Sequence, residues 1–538
     1  MTIGFDTSPL IYQALVYTVT VGLGGWLYWI RNSRFPEKLF LGISAFYLLF
    51  LRLPVLVFNR ELNADESQML AQALTLSFDP VYWRSVDGTT GGPLSSYFLI
   101  PLGYLFNRFD YVTAHCSALL LVCFTLFFLF KALKNWFGPY RAALGIMPVI
   151  LFYGFTKHPD FVHYTSEHTP IALLALSIWM VSSHGIIDGP RRTHAILLGS
   201  FLTLVPFGKI QAVPLAAAVG VYACYKIITK KRWDNFKWTV FGSIATLLFI
   251  LLLLLAGGVL EAFYNFYIKG NLIYKNDSSF WSNLGVLFHS LIRAPDLLIL
   301  FIPLVLNIVV SDKEENHRQK DIIVLGLGLL VATVYASART GSGYTHYLLF
   351  LILPISVLLG SYTPSQLGKR LALRACVVPV AVAIIASFIV FRQRGAINSY
   401  PTDAGQNKNM PMSETSKAAK KFLTYGDFIV VWGWNCQYYV ECQAPQGVAE
   451  NHSIRSAYEH PLRDTYRAKY MSDISRNRPV VFIDAVGPNS LWLQDTLTQT
   501  YRSFPELANY IDQNYVLAGK PEGNRMFVRS DIYQSKQE

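Results

Sequence analysis

The sequence predicts an all-α polytopic membrane domain, followed by a small α/β domain outside the membrane. Three observations carry this. Only 15% of residues are charged, against 52% hydrophobic and 14% aromatic, whereas a soluble domain holds about a quarter charged. The deficit lies in apolar runs close to the roughly 20 residues that a bilayer core requires, among them 10–30, 111–133, 239–260 and 375–391. After Arg394 the composition turns polar, and short strand-like runs replace the long apolar ones.

The apolar runs lack the polar stripe that a soluble helix carries. About twelve crossings are expected, at 10–30, 39–58, 111–133, 142–156, 169–184, 194–208, 211–229, 238–260, 292–310, 322–338, 345–362 and 375–392. The run 93–106 is too short for a crossing and fits an interfacial or re-entrant helix. Residues 1–9 hold Asp6 and no Lys or Arg, so the first run reads as a retained helix and not as a secretory signal.

The loops fall into two sets, one with nineteen Lys and Arg residues and the other with eight. Such an excess in short loops marks the cytoplasmic side. The N-terminus, loop 59–110 and everything after about 393 then lie on the outer face, the periplasmic or extracellular side of a bacterial inner membrane. The net charge of +12 is scattered through these loops as an orientation signal, which argues against a nucleic-acid partner. Six Cys are too few for a disulfide scaffold. Cys436 and Cys442 are the one pair placed for a disulfide.

Residues 1–394 are thus read as the membrane domain and 395–538 as the outer domain. In the latter, 427–433, 479–486 and 525–529 read as strands, and 460–478, 490–500 and 505–514 as helices. Trp432, Trp434, Tyr438 and Tyr439 read as core packing ahead of sugar stacking.

Loop 59–110 carries the most chemistry. Met69, Leu70, Ala73 and Leu74 fall at helical spacing, as in an amphipathic helix on the membrane surface. Asp65 and Glu66 open that helix. Asn63 can cap it, and acids in a first turn complement the helix dipole. A carboxylate here can also act as a general base toward an acceptor hydroxyl. The two readings are compatible.

The Asp65-Glu66 pair opening such a helix, followed by the Gly/Pro turn and short Tyr-containing helix of 87–98, resembles the GT-C glycosyltransferases. It is similar to bacterial relatives of protein O-mannosyltransferases and lipid A aminoarabinose transferases, including the rhizobial lipopolysaccharide glycosyltransferase-like group. The resemblance implies a many-helix fold, a polyprenyl-phosphate sugar donor used on the outer face, and Asp65 as catalytic base with Glu66 beside it. Some relatives carry Phe-Glu-Lys-Pro-Pro before the short helix. This chain has Thr90-Gly91-Gly92-Pro93, so the roles of that Glu and Lys do not carry over.

A second outer cluster spans 157–168. If helical, Asp160, His163 and Glu167 share a face. Ionisable groups at a membrane border are costly unless used. They supply ligand types for a divalent metal, hydrogen bonds for a sugar, or simply a solvated loop; these stay open. A departing phosphate calls for fixed positive charge, with Lys157, Lys209, Lys269, Lys275, Arg293 and Arg339 as outer candidates. Lys209 and Gln211 stand at a break between apolar runs, which suits a cavity-facing position. Arg339 precedes a Gly-rich turn that opens the next helix with His346 and Tyr347, where backbone N–H groups can meet phosphate. Either cation can instead snorkel.

The expected reaction is an inverting transfer of a sugar from a polyprenyl-phosphate carrier to a hydroxyl of a lipid, glycan or protein. No motif requires a cofactor, since P-loop and dinucleotide fingerprints are absent. The alternatives are a secondary transporter, which would place ionisable groups at the midplane of repeated halves, and an O-antigen polymerase- or ligase-like enzyme, which would keep its main outer loop late between helices.

Overall fold

The computed structural model describes residues 9–32, 34–183, 189, 191–274, 279–311, 314, 317, 319–364, 368–394 and 410–537. All twelve expected crossings fall on helices. Among the described residues, seven helices are long and apolar enough to cross a membrane, or eight if the bent pair Phe280–Arg293 and Pro295–Val310 is one span. Length thus counts fewer crossings than the sequence reading. The helices Pro139–Phe155, His168–Ser182 and Arg192–Gly208 hold 17, 15 and 17 residues. At 1.5 Å per residue they fall short of a core about 30 Å thick.

The chain divides into two compact units. The first comprises Met1–Phe58, Ala118–Ile250 and Tyr274–Gln406; the second comprises Asn59–Ser117, Leu251–Ile273 and Asn407–Glu538. The outer loop therefore groups with the C-terminal segment, a division that differs from a single cut at residue 394.

The first unit is a helical bundle with one extended apolar core. Charged residues assigned to the same loop set meet one another in it. Glu37 pairs with Lys131 at 2.7 Å and with Lys134, and Lys226 pairs with Asp321 at 3.1 Å. A bundle with sorted ends produces such pairs.

The second unit is built on a four-stranded sheet of β1 (Ile429–Trp432), β2 (Val481–Asp484), β3 (Tyr515–Gly519) and β4 (Arg525–Arg529), in the order β1-β2-β4-β3. The β1–β2 pair is parallel and the others are antiparallel. Side chains alternate between two cores, as the pleat dictates. Ile429, Val431, Ile483 and Val528 face one, with Ala71. Val430, Trp432, Phe482 and Phe527 face the other, with Tyr470, Ile474 and Leu507. Burial on both faces explains the unbroken apolar runs of β1 and β2.

Four expectations change. The helix Ala64–Phe78 forms, but Glu66 through Leu76 are buried without exception. It is a core helix of the second unit and not an amphipathic helix on a membrane surface, because the C-terminal helix Gln437–Cys442 packs against it. Residues 490–500 are turns, not a helix. Trp492 has a left-handed φ of 66°, and the Asp495 carboxylate accepts from the Leu497 N–H at 2.8 Å, a local bond that competes with helix. β3 was not foreseen. Cys436 and Cys442 are both free; Cys436 Sγ meets the Asn451 carbonyl and Cys442 Sγ the Ser416 carbonyl. Trp432, Tyr438 and Tyr439 are buried in the core, whereas Trp434 meets Trp492 edge-on and lies tilted against His452.

Candidate functional site

Two polar clusters stand out, one in each unit. That of the second unit is centred on the start of the helix Ala64–Phe78. Asn63 caps this helix, its side chain accepting from the Asp65 N–H at 3.0 Å. Glu66 turns back so that its carboxylate accepts from the Leu62 N–H at 3.3 Å. That is close to a capping box, in which the acid at the third helical position satisfies an orphan donor. The other side of Glu66 meets His115 Nε2 at 3.1 Å, with both side chains sealed from solvent.

Tyr111 and His115 lie one turn apart on the helix Tyr111–Phe137. The Tyr111 hydroxyl bonds the Ser67 hydroxyl at 2.9 Å, and Ser67 donates to Glu61. Two adjacent positions of one helix are thus locked to two i, i+4 positions of another.

Asp65 is treated differently by the fold. It is half-buried, and among the described residues no side-chain hydrogen bond or ion pair holds its carboxylate. Of two neighbouring acids, one is anchored and the other, among the described residues, is held by no side chain. The sequence singled out both acids but not His115, Tyr111 or Ser67. The available signal was the run of polar residues (Asp110, Thr113, His115, Ser117) opening an otherwise apolar helix.

The C-terminal segment grips the same helix. The Gln446 N–H donates to Thr75 Oγ1 at 2.9 Å, and Asn451 Nδ2 donates to the Gln68 carbonyl at 3.1 Å and to Gln446 Oε1 at 3.1 Å. The Gly turn of 87–93 is held by Asp87, whose Oδ1 accepts from the Thr89 N–H at 2.9 Å. A side chain at Gly88 would run into the Tyr82 hydroxyl and the Gly91 carbonyl.

The first unit brings together residues that the sequence had placed in three separate loops. Glu167 is fully buried at the start of His168–Ser182. Lys209, at the end of Arg192–Gly208, reaches its carboxylate at 2.5 Å and donates to Ser166 Oγ at 2.9 Å. His346 Nε2 lies 3.8 Å from the same carboxylate. Tyr347 presents its ring 4.8 Å below the Lys209 ammonium, a cation–π contact. His163 is buried and stands edge-on to His346 at 6.1 Å; its Nδ1 is bonded to the Pro159 carbonyl, while its Nε2 has no hydrogen-bond partner. The Gln211 side-chain amide is buried beside them, and among the described residues neither its nitrogen nor its oxygen has a hydrogen-bond partner. Burial opposes ionisation of Glu167, but the Lys209 and His346 side chains overcome it and hold its carboxyl down at about 2.

The short helix Pro159–Val162 ends before His163, so Asp160, His163 and Glu167 do not share a helical face. Among the described residues, no three His, Cys, Asp or Glu side chains are placed to hold a metal ion. Arg339 is exposed at the end of Lys320–Ala338. Lys269 and Arg293 are exposed, and Lys275 lies outside the described residues.

No family model matches the chain, and no curated protein matches it in sequence. Solved structures do share its fold. The crystal structure of ArnT from Cupriavidus metallidurans bound to undecaprenyl phosphate is 11% identical, with a TM-score of 0.55, over 92% of this chain and 98% of that one. The apo state of the same protein gives 12%, 0.54 and the same coverage. The apo oligosaccharyltransferase of Archaeoglobus fulgidus gives 10% and 0.40, over 85% of this chain and 70% of that one. The chain therefore shares its overall fold with ArnT.

Proposed function

We propose that this chain, built on the GT-C fold, is a membrane glycosyltransferase that moves a sugar from a polyprenyl-phosphate carrier to an acceptor hydroxyl of a lipid, glycan or protein. The observation that carries this reading is the division of labour between Asp65 and Glu66, in a chain that shares its fold with a protein crystallised with undecaprenyl phosphate. Asp65 is the base. It takes the proton of the acceptor hydroxyl, whose oxygen attacks the anomeric carbon. The bond from that carbon to the phosphate oxygen breaks, and the carrier phosphate leaves with the electron pair, so the configuration inverts. Glu66, tied to Leu62 and His115, fixes the first helical turn and with it the direction of the Asp65 carboxylate.

The leaving phosphate needs donors that do not reorganise as charge develops. Lys209, Gln211, His346 and Tyr347 are assigned to it, with His163 Nε2 as a further donor or acceptor and Arg339 as a further cation. Glu167 holds Lys209 and His346 in place. Asp160 is assigned to substrate contact at the margin of this cluster. The chain is assigned to a bacterial inner membrane, with Asp65 and residues after about 393 on the outer side, because loop charge favours that orientation.

The test is transfer from a synthetic polyprenyl-phosphate sugar by purified wild type and Asp65→Asn. The expected loss is at least about 100-fold in kcat, the lower end for removing a general base, with carrier binding retained. Wild-type turnover by Asp65→Asn would remove Asp65 as base.

A further inference from the structure

The helix pair Thr345–Leu351 and Ile352–Tyr362 carries His346 at its start and is followed by Thr363. At about 2.0 Å per residue in the first helix, a 3-10 helix, and 1.5 Å in the second, Thr363 lies roughly 28 Å along the chain axis from His346, at the end of the first unit where the excess of Lys and Arg gathers. A crevice opens here, lined by Leu144, Asn307, Thr363, Arg374 and Ala375 among others. It encloses about 10 Å³, room for at most one oxygen, so a ligand keeps its bulk outside.

Two features of the lining are unexplained by packing. Arg374 is half-buried, and among the described residues no carboxylate or carbonyl engages its guanidinium. Pro148, Pro303 and Pro379 also line the crevice, each inside a helix. Proline lacks the N–H that would bond the carbonyl four residues earlier, and for Pro148 and Pro379 those carbonyls belong to Leu144 and Ala375, themselves lining residues. The crevice thus offers a planar fork of donors beside carbonyl acceptors that lack their usual helical partner. The fork matches phosphate oxygens, and the acceptors match a hydroxyl or ammonium on the same ligand. A phospholipid head group combines both, and basic pockets between helix ends are known to hold such groups.

We propose that this crevice binds a phosphate group through Arg374, with Asn307 and Thr363 flanking it, at a site separate from the Glu167 cluster and independent of the transferase reading. The phosphate comes from a lipid head group or from free phosphate.

The test is the thermal midpoint of the full chain in a neutral maltoside detergent, with short-chain phosphatidylglycerol or inorganic phosphate added at equal concentration. Phosphatidylglycerol is expected to raise the wild-type midpoint, and Arg374→Gln to lose that rise. A rise with inorganic phosphate that also depends on Arg374 upholds the site and assigns it to the free ion. Asn307→Leu, which fills the crevice but keeps the cation, gives the same loss should Arg374→Gln not fold. No rise in the wild type, or an equal rise in Arg374→Gln and Asn307→Leu, overturns the proposal. So does an equal loss in a Lys369→Gln/Arg370→Gln double variant, because those two residues are exposed and report only general surface charge.

Discussion

His115 Nε2 stands 3.1 Å from a Glu66 carboxylate oxygen, and solvent reaches neither side chain. Removing Glu66 takes from the buried His115 its carboxylate partner. Glu66→Ala is therefore expected to destabilise the protein by roughly 3 kcal/mol, the scale for breaking a buried pair. Asp65→Asn should cost no more than about 1 kcal/mol, a helix-dipole contribution. Denaturation of the two variants side by side checks this; equal losses would show that the two acids are not divided as the geometry indicates.

Lys209 and Glu167 form a second buried pair. Lys209→Met alone should cost roughly 3 kcal/mol, and adding Glu167→Gln should restore most of it, since the penalty lies in the orphaned charge. A double-mutant cycle on stability measures the coupling.

The same pair sets an acid limit. Glu167 has its carboxyl lowered from 4.5 to about 2. A depressed folded value contributes stability that is complete above 4.5 and is lost as pH falls toward 2. Glu167→Gln should flatten the loss of stability across that window. An unchanged acid limb would assign the pH dependence to other carboxylates.

Glu450 runs the opposite way. Burial raises its carboxyl to about 7, against hydrogen bonds from Ser456 and from the Arg455 and Ser456 N–H groups. A raised acid means that the folded state holds the proton longer, so stability falls as pH rises from 4.5 to 7. The slope is at most about 1.4 kcal/mol per pH unit. Glu450→Gln should remove that decline. Its neighbour His452, lowered to about 3 by burial and Arg455, pulls stability upward between 3 and 6.5, so the Glu450 effect is cleanest above 6.5.

Asn451 bonds the Gln68 carbonyl one turn beyond Asp65. Asn451→Ala should speed amide exchange across residues 64–78 and lower kcat more than it raises KM, because it loosens the base without touching substrate. Unaltered exchange in that helix would argue against a grip by the C-terminal segment.

Much of this was legible in the chain. Periodicity located the helices, because bilayer-length apolar runs have few other uses. Residue type and loop position pointed to Glu167, Lys209, His163, His346 and Tyr347, which the fold gathers into one cluster. The sequence could not show that Asp160, His163 and Glu167 lie on no common helical face, since the turn at His163 ends a four-residue helix that periodicity cannot resolve. Nor could it show that the helix of Asp65 is buried all round. Its polar positions Ser67, Gln72 and Thr75 would suit a wet face, yet they bond Tyr111, Ser96 and Gln446. The strand at 515–519 was missed because only Tyr515 along it is fully buried, which leaves no alternation to read.

The bond from Gln446 to Thr75 spans 371 positions. At a synthesis rate of about 5–20 residues per second, the helix bearing Asp65 leaves the ribosome roughly 20–70 s before the residues that grip it exist. During that interval Thr75 Oγ1 and the Gln68 carbonyl lack the C-terminal donors that hold them in the finished fold. A nascent chain is thus expected to stay inactive until its C-terminal third has been made, and to offer chaperones and proteases a timed window on residues 64–78.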